Sequence, residues 1–331
     1  MAPPIENTLA ILQDAMAAHR DALTREPEAR PPFRFAAPPD RRHELVLRLL
    51  AGVEQRAGID VSQPGAEKLL RIFAPVSLGE IEAEVARLES LPASDPEWLA
   101  LIESLTVHET YIMRDPSQLA FFAALLPDMI ARAAAHSHLL RFWSVGCASG
   151  EEAYSIAALA LDALAKAGKT EVTEEGISLL SPWRLEVVGA DISRRALARA
   201  QAGVYETGPL SSFRTEAAAL LHHFPPLAAA GKNAPAMRAA APALKRVVRF
   251  SQFNIIDGAL PPEPFDAVLC RNVFIYFSER ARRYAQQRLA RAVRPGGLLL
   301  LGSTDTLSDA TAFEALWAPG AVTYRRRGSD V

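Results

Sequence analysis

Apolar runs and amphipathic stretches alternate along the chain from about residue 139 onward. Five short apolar runs have the length and composition of buried β-strands, and a helical pattern follows each of the first three. This alternation predicts an α/β domain with a mostly parallel, doubly wound, Rossmann-like sheet, in which ligands bind beyond the carboxyl ends of the strands. The predicted strands are Leu139–Val145, Leu185–Ala190, Phe265–Cys270, Leu298–Gly302 and Ala321–Arg326, and the helices are Glu151–Ala165, Ser193–Ala202 and Ser278–Val293.

The part of the chain before residue 106 has no strand pattern. Residues 41–105 carry apolar residues at helical spacing in four segments, and Ser77 with Glu80 three residues later is typical of a capping box. Residues 1–40 combine a short amphipathic stretch with several prolines, which indicates an extension or linker. We therefore predict three parts: an extension (1–40), a small all-helical domain (41–116) and the α/β domain (117–331). An Ala- and Pro-rich insertion interrupts the last part at about 205–250.

Composition narrows the range of functions. Half of the 331 residues are hydrophobic, which is enough for a substantial core, and 36 basic against 38 acidic residues give a net charge of -2. This balance does not favour nucleic acid or an anionic membrane as a partner. Two cysteines are too few for a disulfide framework or a four-cysteine zinc site. Because no apolar run approaches the roughly 20 residues of a membrane span and no signal peptide is evident, we expect a cytoplasmic protein without membrane insertion.

The turn after the first predicted strand has the features of a ligand site. Gly146 ends the strand and Gly150 precedes the helix, so the backbone is open to a ligand and the helix start offers free N–H groups. The middle glycine of GxGxxG is absent, which does not favour a pyrophosphate site. Glu151 and Glu152 would repel a phosphate but suit an ammonium or sulfonium group. An ordinary strand–helix turn with N-terminal acids is the alternative.

An acid also follows the second predicted strand. Asp191 stands where nucleoside-binding sheets place a carboxylate that accepts both ribose hydroxyls, although a helix N-cap is the alternative. Together with the glycine turn, this position favours a nucleoside ligand without phosphates. S-adenosylmethionine fits, since it combines adenosine, a sulfonium and an amino acid.

Two further segments place polar groups near the predicted cleft. The third strand ends in Cys270, Arg271 and Asn272, with Tyr276 close behind. The segment 105–116, between the helical and α/β parts, is polar and aromatic, as expected at a pocket between domains or in a packing segment.

The remaining candidates point to packing rather than chemistry. Cys147 and Cys270 are predicted to be small, buried residues of the cleft wall. His222 and His223 are adjacent, so on a helix they are expected to point apart, and no metal site is predicted.

The motifs over residues 43–326 together resemble the CheR-type chemotaxis receptor methyltransferases, which methylate glutamate side chains with S-adenosylmethionine. The resemblance implies a class I methyltransferase domain preceded by a helical domain. The matching segments are Thr106–Asp115, Cys147–Ser155, Asp191-Ile192, Gly203–Tyr205, Phe265–Phe277 and Pro295–Leu299.

The resemblance also implies roles for individual residues. Glu152 would hold the methionyl amino group and Asp191 the ribose, while Asn254 and Ile255 would flank the adenine. Arg114 and Tyr276 would be the catalytic residues, beside the methyl group and the incoming carboxylate. The implied cofactor-binding residues are His108, Thr110, Arg114, Gly146, Glu152, Asp191, Asn254, Ile255, Cys270 and Arg271.

The expected reaction transfers a methyl group from S-adenosylmethionine to glutamate carboxylates of a methyl-accepting chemotaxis-type receptor or another signalling protein, leaving S-adenosylhomocysteine. A glutamate side chain, with an ordinary pKa of about 4.3, is already ionised near neutral pH and needs no general base. In-line transfer also needs no metal. The alternatives are a non-catalytic module that senses S-adenosylmethionine or S-adenosylhomocysteine, and a nicotinamide oxidoreductase, which the missing glycine and the two acids disfavour.

The chain departs from the family pattern at a few positions. His108 replaces an asparagine and Ile112-Met113 an aromatic pair. The helix corresponding to the family's basic receptor-binding helix offers little beyond Lys68 and Arg71, and the expected β-subdomain within 205–250 has poor strand propensity. The sequence therefore supports the cofactor more directly than receptor docking.

Overall fold

The computed structural model describes residues 40–328 except 61, 94, 107, 175, 209, 229–230 and 232–234. The predicted extension, 1–40, lies outside the described residues apart from Asp40. Two compact units divide the chain: one holds 60–98 and the residues up to 55, and the other holds 56–59 and the residues from 99 onward. The boundary between units thus falls at 98/99, whereas the sequence-based boundary lies at 116/117.

The first unit is helical, as its apolar spacing predicts. Helix α3 has the predicted capping box, in which the Ser77 hydroxyl accepts from the Glu80 N–H and the Glu80 carboxylate accepts from the Ser77 N–H. The Trp98 indole is fully buried and donates to the Leu88 carbonyl oxygen at 2.7 Å. The helices are α1 (Arg41–Ala57), α2 (Ser62–Phe73), α3 (Leu78–Ser90) and α4 (Pro96–Leu105), of which α1 and α4 run into the second unit.

The second unit is built around a seven-stranded sheet with the order β10-β11-β9-β8-β1-β4-β7. All neighbouring pairs from β9 to β7 are parallel, and β11 pairs antiparallel with both β9 and β10. The predicted doubly wound, mostly parallel sheet is therefore confirmed. These strands are β1 (Leu139–Val145), β4 (Arg184–Asp191), β7 (Val248–Gln252), β8 (Phe265–Cys270), β9 (Val293–Leu301), β10 (Phe313–Ala318) and β11 (Ala321–Arg326).

The sheet is central because its middle strands are apolar on both faces. Every residue of β8 is buried, as expected for a parallel strand covered by helices on both sides. Helix α6 contributes Ile156, Ala157 and Leu161 to the same core. The helices of this unit are α5 (Pro116–Ala135), α6 (Glu151–Lys166), α7 (Arg194–Ala202), α8 (Pro242–Val247) and α9 (Glu279–Ala292).

Helix α5 was not predicted from the sequence. It also corrects the expectation that no apolar run approaches the roughly 20 residues of a membrane span. The helix has 20 residues, and the mean hydropathy of an 18-residue window within it reaches 1.3, so by length and composition alone it could cross a membrane. Its buried residues include Leu119, Phe122, Leu126 and Ala133, which recur at helical spacing on one face. This is the burial pattern of a helix that covers a sheet.

The region predicted as an insertion contains strands. Strand β7, which begins at Val248, already belongs to the central sheet. Despite its poor strand propensity, the region before β7 forms an antiparallel pair, β5 (Val204–Glu206) with β6 (Met237–Ala239), and a 3-10 helix, Thr215–His223. A hairpin that was not predicted pairs β2 (Thr170–Thr173) with β3 (Gly176–Leu179).

Candidate functional site

A cleft opens at the carboxyl ends of β1, β4 and β8. Its position is the one that the doubly wound topology predicts for a ligand site. The lining residues are Ala57, Ile59, Thr106, His108, Glu109, Thr110, Arg114, Val145, Gly146, Ala148, Glu152, Asp191, Ile192, Phe253, Asn254, Ile255, Arg271, Asn272, Val273, Tyr276 and Phe277.

The turn between β1 and α6 forms one wall of the cleft. Gly146 has φ +75°, and a Cβ built on it would lie 2.3 Å from Cγ2 of Val273, so only glycine fits this position. The Gly146 N–H donates to the Ala190 carbonyl oxygen at 2.7 Å, which holds the turn against the end of β4. The lack of a side chain at Gly146, which the sequence predicted as a site residue, thus lets the turn pass close to Val273 and to the end of β4.

Asp191 lies at the end of β4 with its carboxylate buried. Its oxygens accept the N–H of Ala148 at 2.8 Å and the N–H of Ser193 at 2.9 Å, so it links the glycine turn to the start of α7. Burial raises the pKa of Asp191 above its ordinary value of 3.8, and these two N–H donors oppose the rise. His108 approaches it with Nε2 at 3.9 Å. A carboxylate has about four acceptor positions, so Asp191 can still accept from two further donors.

The two acids at the start of α6 have different surroundings. Glu152 lines the cleft, where it accepts from the Ser144 hydroxyl at 2.6 Å and from Arg271 Nη1 at 3.0 Å. Glu151 is 1% exposed and accepts from the hydroxyls of Ser149 and Ser212 at 2.8 and 2.7 Å. The sequence-based interpretation of both acids as ligand groups is therefore wrong for Glu151, because successive helical residues point in different directions.

Glu151 makes stability depend on pH. Burial raises its pKa above the ordinary value of 4.5, while the Ser212 and Ser149 hydroxyls oppose the rise. The folded protein therefore holds this proton more tightly than the unfolded chain, and stability falls as pH rises from about 4.5 through the folded-state pKa. We expect Glu151→Gln, which keeps hydrogen-bonding groups, to reduce this fall in urea unfolding measured across that range. The exposed Glu171→Gln is the control, and parallel curves for Glu151→Gln and wild type would contradict the assignment.

Arg271 is the most enclosed charge beside the cleft, with its side chain 1% exposed. Its Nε donates to Gln118 at 2.7 Å, and its two Nη groups reach Glu152 at 3.0 Å and the Arg114 carbonyl oxygen at 2.5 Å. Asp115 forms an ion pair with it at 3.2 Å. Because Gln118 in turn donates to the Leu301 carbonyl oxygen at 2.8 Å, this guanidinium joins four separate segments of the unit.

The segment 108–114 and the 3-10 helix Phe274–Tyr276 bring the two predicted catalytic residues into the cleft lining. The Arg114 guanidinium donates to the Glu109 carbonyl oxygen and lies 5.9 Å from the centre of the Tyr111 ring. Tyr276 is half-buried and lines the cleft. Thr110 and His108 line it too, with His108 Nε2 3.4 Å from the Thr106 hydroxyl.

The predicted adenine-flanking residues also line the cleft. Ile255 is 6% exposed, and the Asn254 amide donates to the Arg56 carbonyl oxygen at 2.7 Å while its oxygen accepts from the Ile256 N–H. Asn254 therefore fixes local backbone, which leaves its neighbour Ile255 facing the cleft.

One predicted cofactor residue is not brought to the cleft. Cys270 is fully buried and does not line it, and neither does Cys147, although β1 and β8 are neighbours as expected. Burial raises the pKa of both thiols well above the ordinary value of 9.0. Both cysteines are therefore packing residues rather than cleft lining.

Several lining residues were not predicted from the sequence. Phe253 follows β7, which the sequence analysis did not assign, and its N–H donates to the Asp191 carbonyl oxygen at 2.9 Å. Ala57 is the last residue of α1, and Ile59 follows two residues later. In this stretch only Gly58, which is typical of a helix end, stands out in the sequence. Had strand β7 been predicted, the position of Phe253 directly after its carboxyl end would have indicated a cleft residue.

The charges around the cleft favour a cationic ligand. The lining contains three carboxylates, on Glu109, Glu152 and Asp191, and two guanidinium groups, on Arg114 and Arg271. Glu109 is also paired with Arg214, outside the lining, at 3.1 Å. The lining of the described residues is thus one charge negative when histidine is neutral. S-adenosylmethionine, with a sulfonium, an ammonium and a carboxylate, is one charge positive near neutral pH, whereas a dinucleotide brings phosphates.

Comparison with known proteins agrees with this geometry. The chain is 31% identical to chemotaxis protein methyltransferase 1 of Pseudomonas aeruginosa over 243 residues, or 73% of this chain and 80% of that protein. It is 30% identical to the chemotaxis protein methyltransferase of Escherichia coli K12 over 261 residues, covering 77% and 82%. Chemotaxis protein methyltransferase 2 of Vibrio cholerae is 30% identical over 218 residues, covering 65% and 68%.

The family profile described as CheR methyltransferase, SAM binding domain, matches residues 108–319. That range begins at His108, within the polar segment 105–116, and continues beyond β10. Because the match spans more than half of the sequence, the chain is a member of the CheR methyltransferase family and contains its S-adenosylmethionine-binding domain.

Proposed function

We propose that the protein transfers the methyl group of S-adenosylmethionine to glutamate side chains of a methyl-accepting chemotaxis-type receptor or a related signalling protein. The observation that carries this proposal is a single cleft lined by Asp191, Glu152, Arg114 and Tyr276. The relatives named chemotaxis protein methyltransferases support the receptor as substrate. The corresponding place of action is the cytoplasm, where such a receptor presents its signalling region.

The lining residues fit the cofactor group by group. Asp191 has free acceptor positions for the two ribose hydroxyls, and Glu152 has them for the methionyl ammonium. Ile255 offers an apolar surface for the adenine. Gly146 allows the close approach of the ligand to the backbone. Arg271 acts through Glu152, which it holds in place at 3.0 Å.

The bound cofactor supplies an electrophilic methyl group on a sulfonium. The protein's task is then orientation, because the attacking glutamate carboxylate is already ionised near neutral pH. We assign to Arg114 the task of holding that carboxylate with two hydrogen bonds, and to Tyr276 the task of aligning it. Alignment of two reactants can supply up to about 7–11 kcal/mol of the barrier reduction.

The direct test measures transfer of labelled methyl groups from S-adenosylmethionine to the cytoplasmic region of a receptor. We expect base-labile label, released as methanol, together with S-adenosylhomocysteine formation. A receptor variant with glutamine in place of the methylatable glutamates is the control. If the protein binds the cofactor by calorimetry but forms no ester on any of the chemoreceptors of its own organism, protein-glutamate methylation is wrong for this chain.

The role of Tyr276 gives a separate prediction. We expect Tyr276→Phe to lower kcat for methyl transfer by about 10- to 100-fold, because a hydrogen bond to a charged group contributes about 1.5–3 kcal/mol. Cofactor affinity, measured by calorimetry, should stay close to that of the wild type. Tyr284→Phe, on the exposed side of α9, is the matched control and should leave kcat unchanged. An unchanged kcat for Tyr276→Phe would remove Tyr276 from the mechanism.

A further inference from the structure

A cluster of three side chains whose types can ligate a metal ion lies outside the cleft. Asp162 on α6 receives His222 and His223 from the end of the 3-10 helix Thr215–His223. The Nε2 atoms of His222 and His223 lie 3.0 and 2.9 Å from the same oxygen of Asp162, and the ring centres are 4.1 Å apart. The expectation that these adjacent histidines point apart is therefore wrong.

The three side chains of the cluster differ in solvent exposure, from the buried His223 to the exposed His222. His223 is 2% exposed, the Asp162 side chain is 27% exposed and the His222 side chain is 53% exposed. An ion held here would be anchored on its inner side by a fixed imidazole and would remain reachable from solvent. The His223 carbonyl oxygen accepts from the Ala241 N–H at 2.9 Å, so its backbone is held as well.

The spacing of the donor atoms suits one ion. One ligand atom from each residue lies within 4.8 Å of the other two. In the tetrahedral geometry of zinc, metal–ligand bonds of about 2.0–2.2 Å place neighbouring ligand atoms about 3.3–3.6 Å apart, so each Nε2 would move about 0.5 Å away from the Asp162 oxygen as the ion enters. Two imidazoles and one carboxylate form a donor set that zinc and other late first-row ions accept, with a position left open for water.

We propose that Asp162, His222 and His223 form a binding site for a divalent transition-metal ion of the zinc class. The ion takes the Nε2 lone pair of each imidazole, so each neutral ring carries its proton on Nδ1. The site does not depend on the proposed methyl-transfer function, because it uses none of the cleft residues.

The position of the site indicates that the bound ion would stabilise the structure rather than take part in methyl transfer. Asp162 is ten residues beyond Glu152 on α6, about 15 Å along the helix axis, so the ion stands away from the reacting methyl group. It joins the insertion to the helix whose first turn carries Glu152. The residue after the pair, Phe224, is fully buried and packs edge-on against Tyr154 of α6 at 6.4 Å. The ion would add a crosslink beside that apolar contact.

The test uses the full chain without an affinity tag, freed of metal by a chelator and then titrated with zinc chloride by calorimetry. We expect one site per chain and a rise of the thermal unfolding midpoint with zinc. His222→Ala, an exposed change, should weaken zinc binding at least about 100-fold and abolish the rise, since it removes a direct ligand. His136→Ala, an exposed histidine at the end of α5, is the matched control and should bind as the wild type does.

Asp162→Asn provides a second variant, since the amide keeps the shape of the carboxylate. We expect it to weaken zinc binding as well, and cobalt(II) bound to the wild type should show a visible spectrum that both variants lose. Wild-type protein that binds no zinc, or zinc binding that His222→Ala and Asp162→Asn leave intact, would overturn the proposal. Cofactor affinity should not change in either variant.

Discussion

Replacing Arg271 with methionine is expected to lower the free energy of unfolding by about 3–5 kcal/mol, the usual cost of removing one partner from a buried ion pair. The guanidinium is enclosed and serves Gln118, Glu152 and the Arg114 carbonyl oxygen at once. Methionine fills much of the space but leaves the carboxylates of Glu152 and Asp115 without their cation. The loss should therefore exceed that expected from side-chain volume alone.

Urea unfolding at neutral pH measures this effect. Arg283→Met is the matched control, because Arg283 pairs with Glu279 across one helical turn with side chains 56% and 78% exposed. Such an exposed pair contributes only about 0.3–0.5 kcal/mol. A loss below about 1 kcal/mol for Arg271→Met would show that the buried charges find other partners. Cofactor binding should fall in the same variant, since Glu152 is no longer held.

Gly146→Ala is expected to destabilise the protein by two separate effects. A residue with a Cβ at φ +75° costs about 1–2 kcal/mol. The new methyl group would also lie 2.3 Å from Val273 Cγ2, and relief of such overpacking costs about 1–3 kcal/mol more. Because Val273 lines the cleft, its displacement should also weaken cofactor binding.

Gly168→Ala separates the two effects. Gly168 has nearly the same backbone angle, φ +69°, but a Cβ there would meet no atom within 4 Å. We expect Gly168→Ala to show the backbone cost alone and to bind the cofactor normally in calorimetry. Equal losses of stability for the two variants, with cofactor affinity unchanged in both, would rule out the contact with Val273 as a constraint on the cleft.

Three strands were predicted with the bounds that the structure has: Leu139–Val145, Phe265–Cys270 and Ala321–Arg326. The first two are short, mostly apolar runs, and the third combines β-branched and aromatic residues after a glycine turn, so each pattern fits a strand better than a helix. Helix α5 was missed, since Pro127 lies inside it and a proline normally ends a helical pattern. Strand β7 follows a Pro-rich stretch and is partly exposed, so its pattern was weak.

Within the cleft, it was easier to predict which residues lie near the ligand site than to predict the directions of their side chains. The pattern of acids at the start of α6 identified Glu151 and Glu152, but only the packed structure shows that Glu151 turns to Ser149 and Ser212. Cys270 ends the same strand that leads to Arg271, yet it points into the core. The partnership of Asp162 with two histidines joins residues about 60 apart, which no local pattern reveals.

The short stretch Arg56–Ile59 has a practical consequence for fragment design. It clusters with the later residues rather than with the helix that leads into it, and Ile59 forms a β-bridge with Phe277. A gene product beginning at Leu99 would therefore lack Ala57 and Ile59, and Asn254 would lose its hydrogen bond to Arg56. A minimal fragment that retains the ligand pocket must start before Arg56, even though much of what it then carries belongs to the other unit.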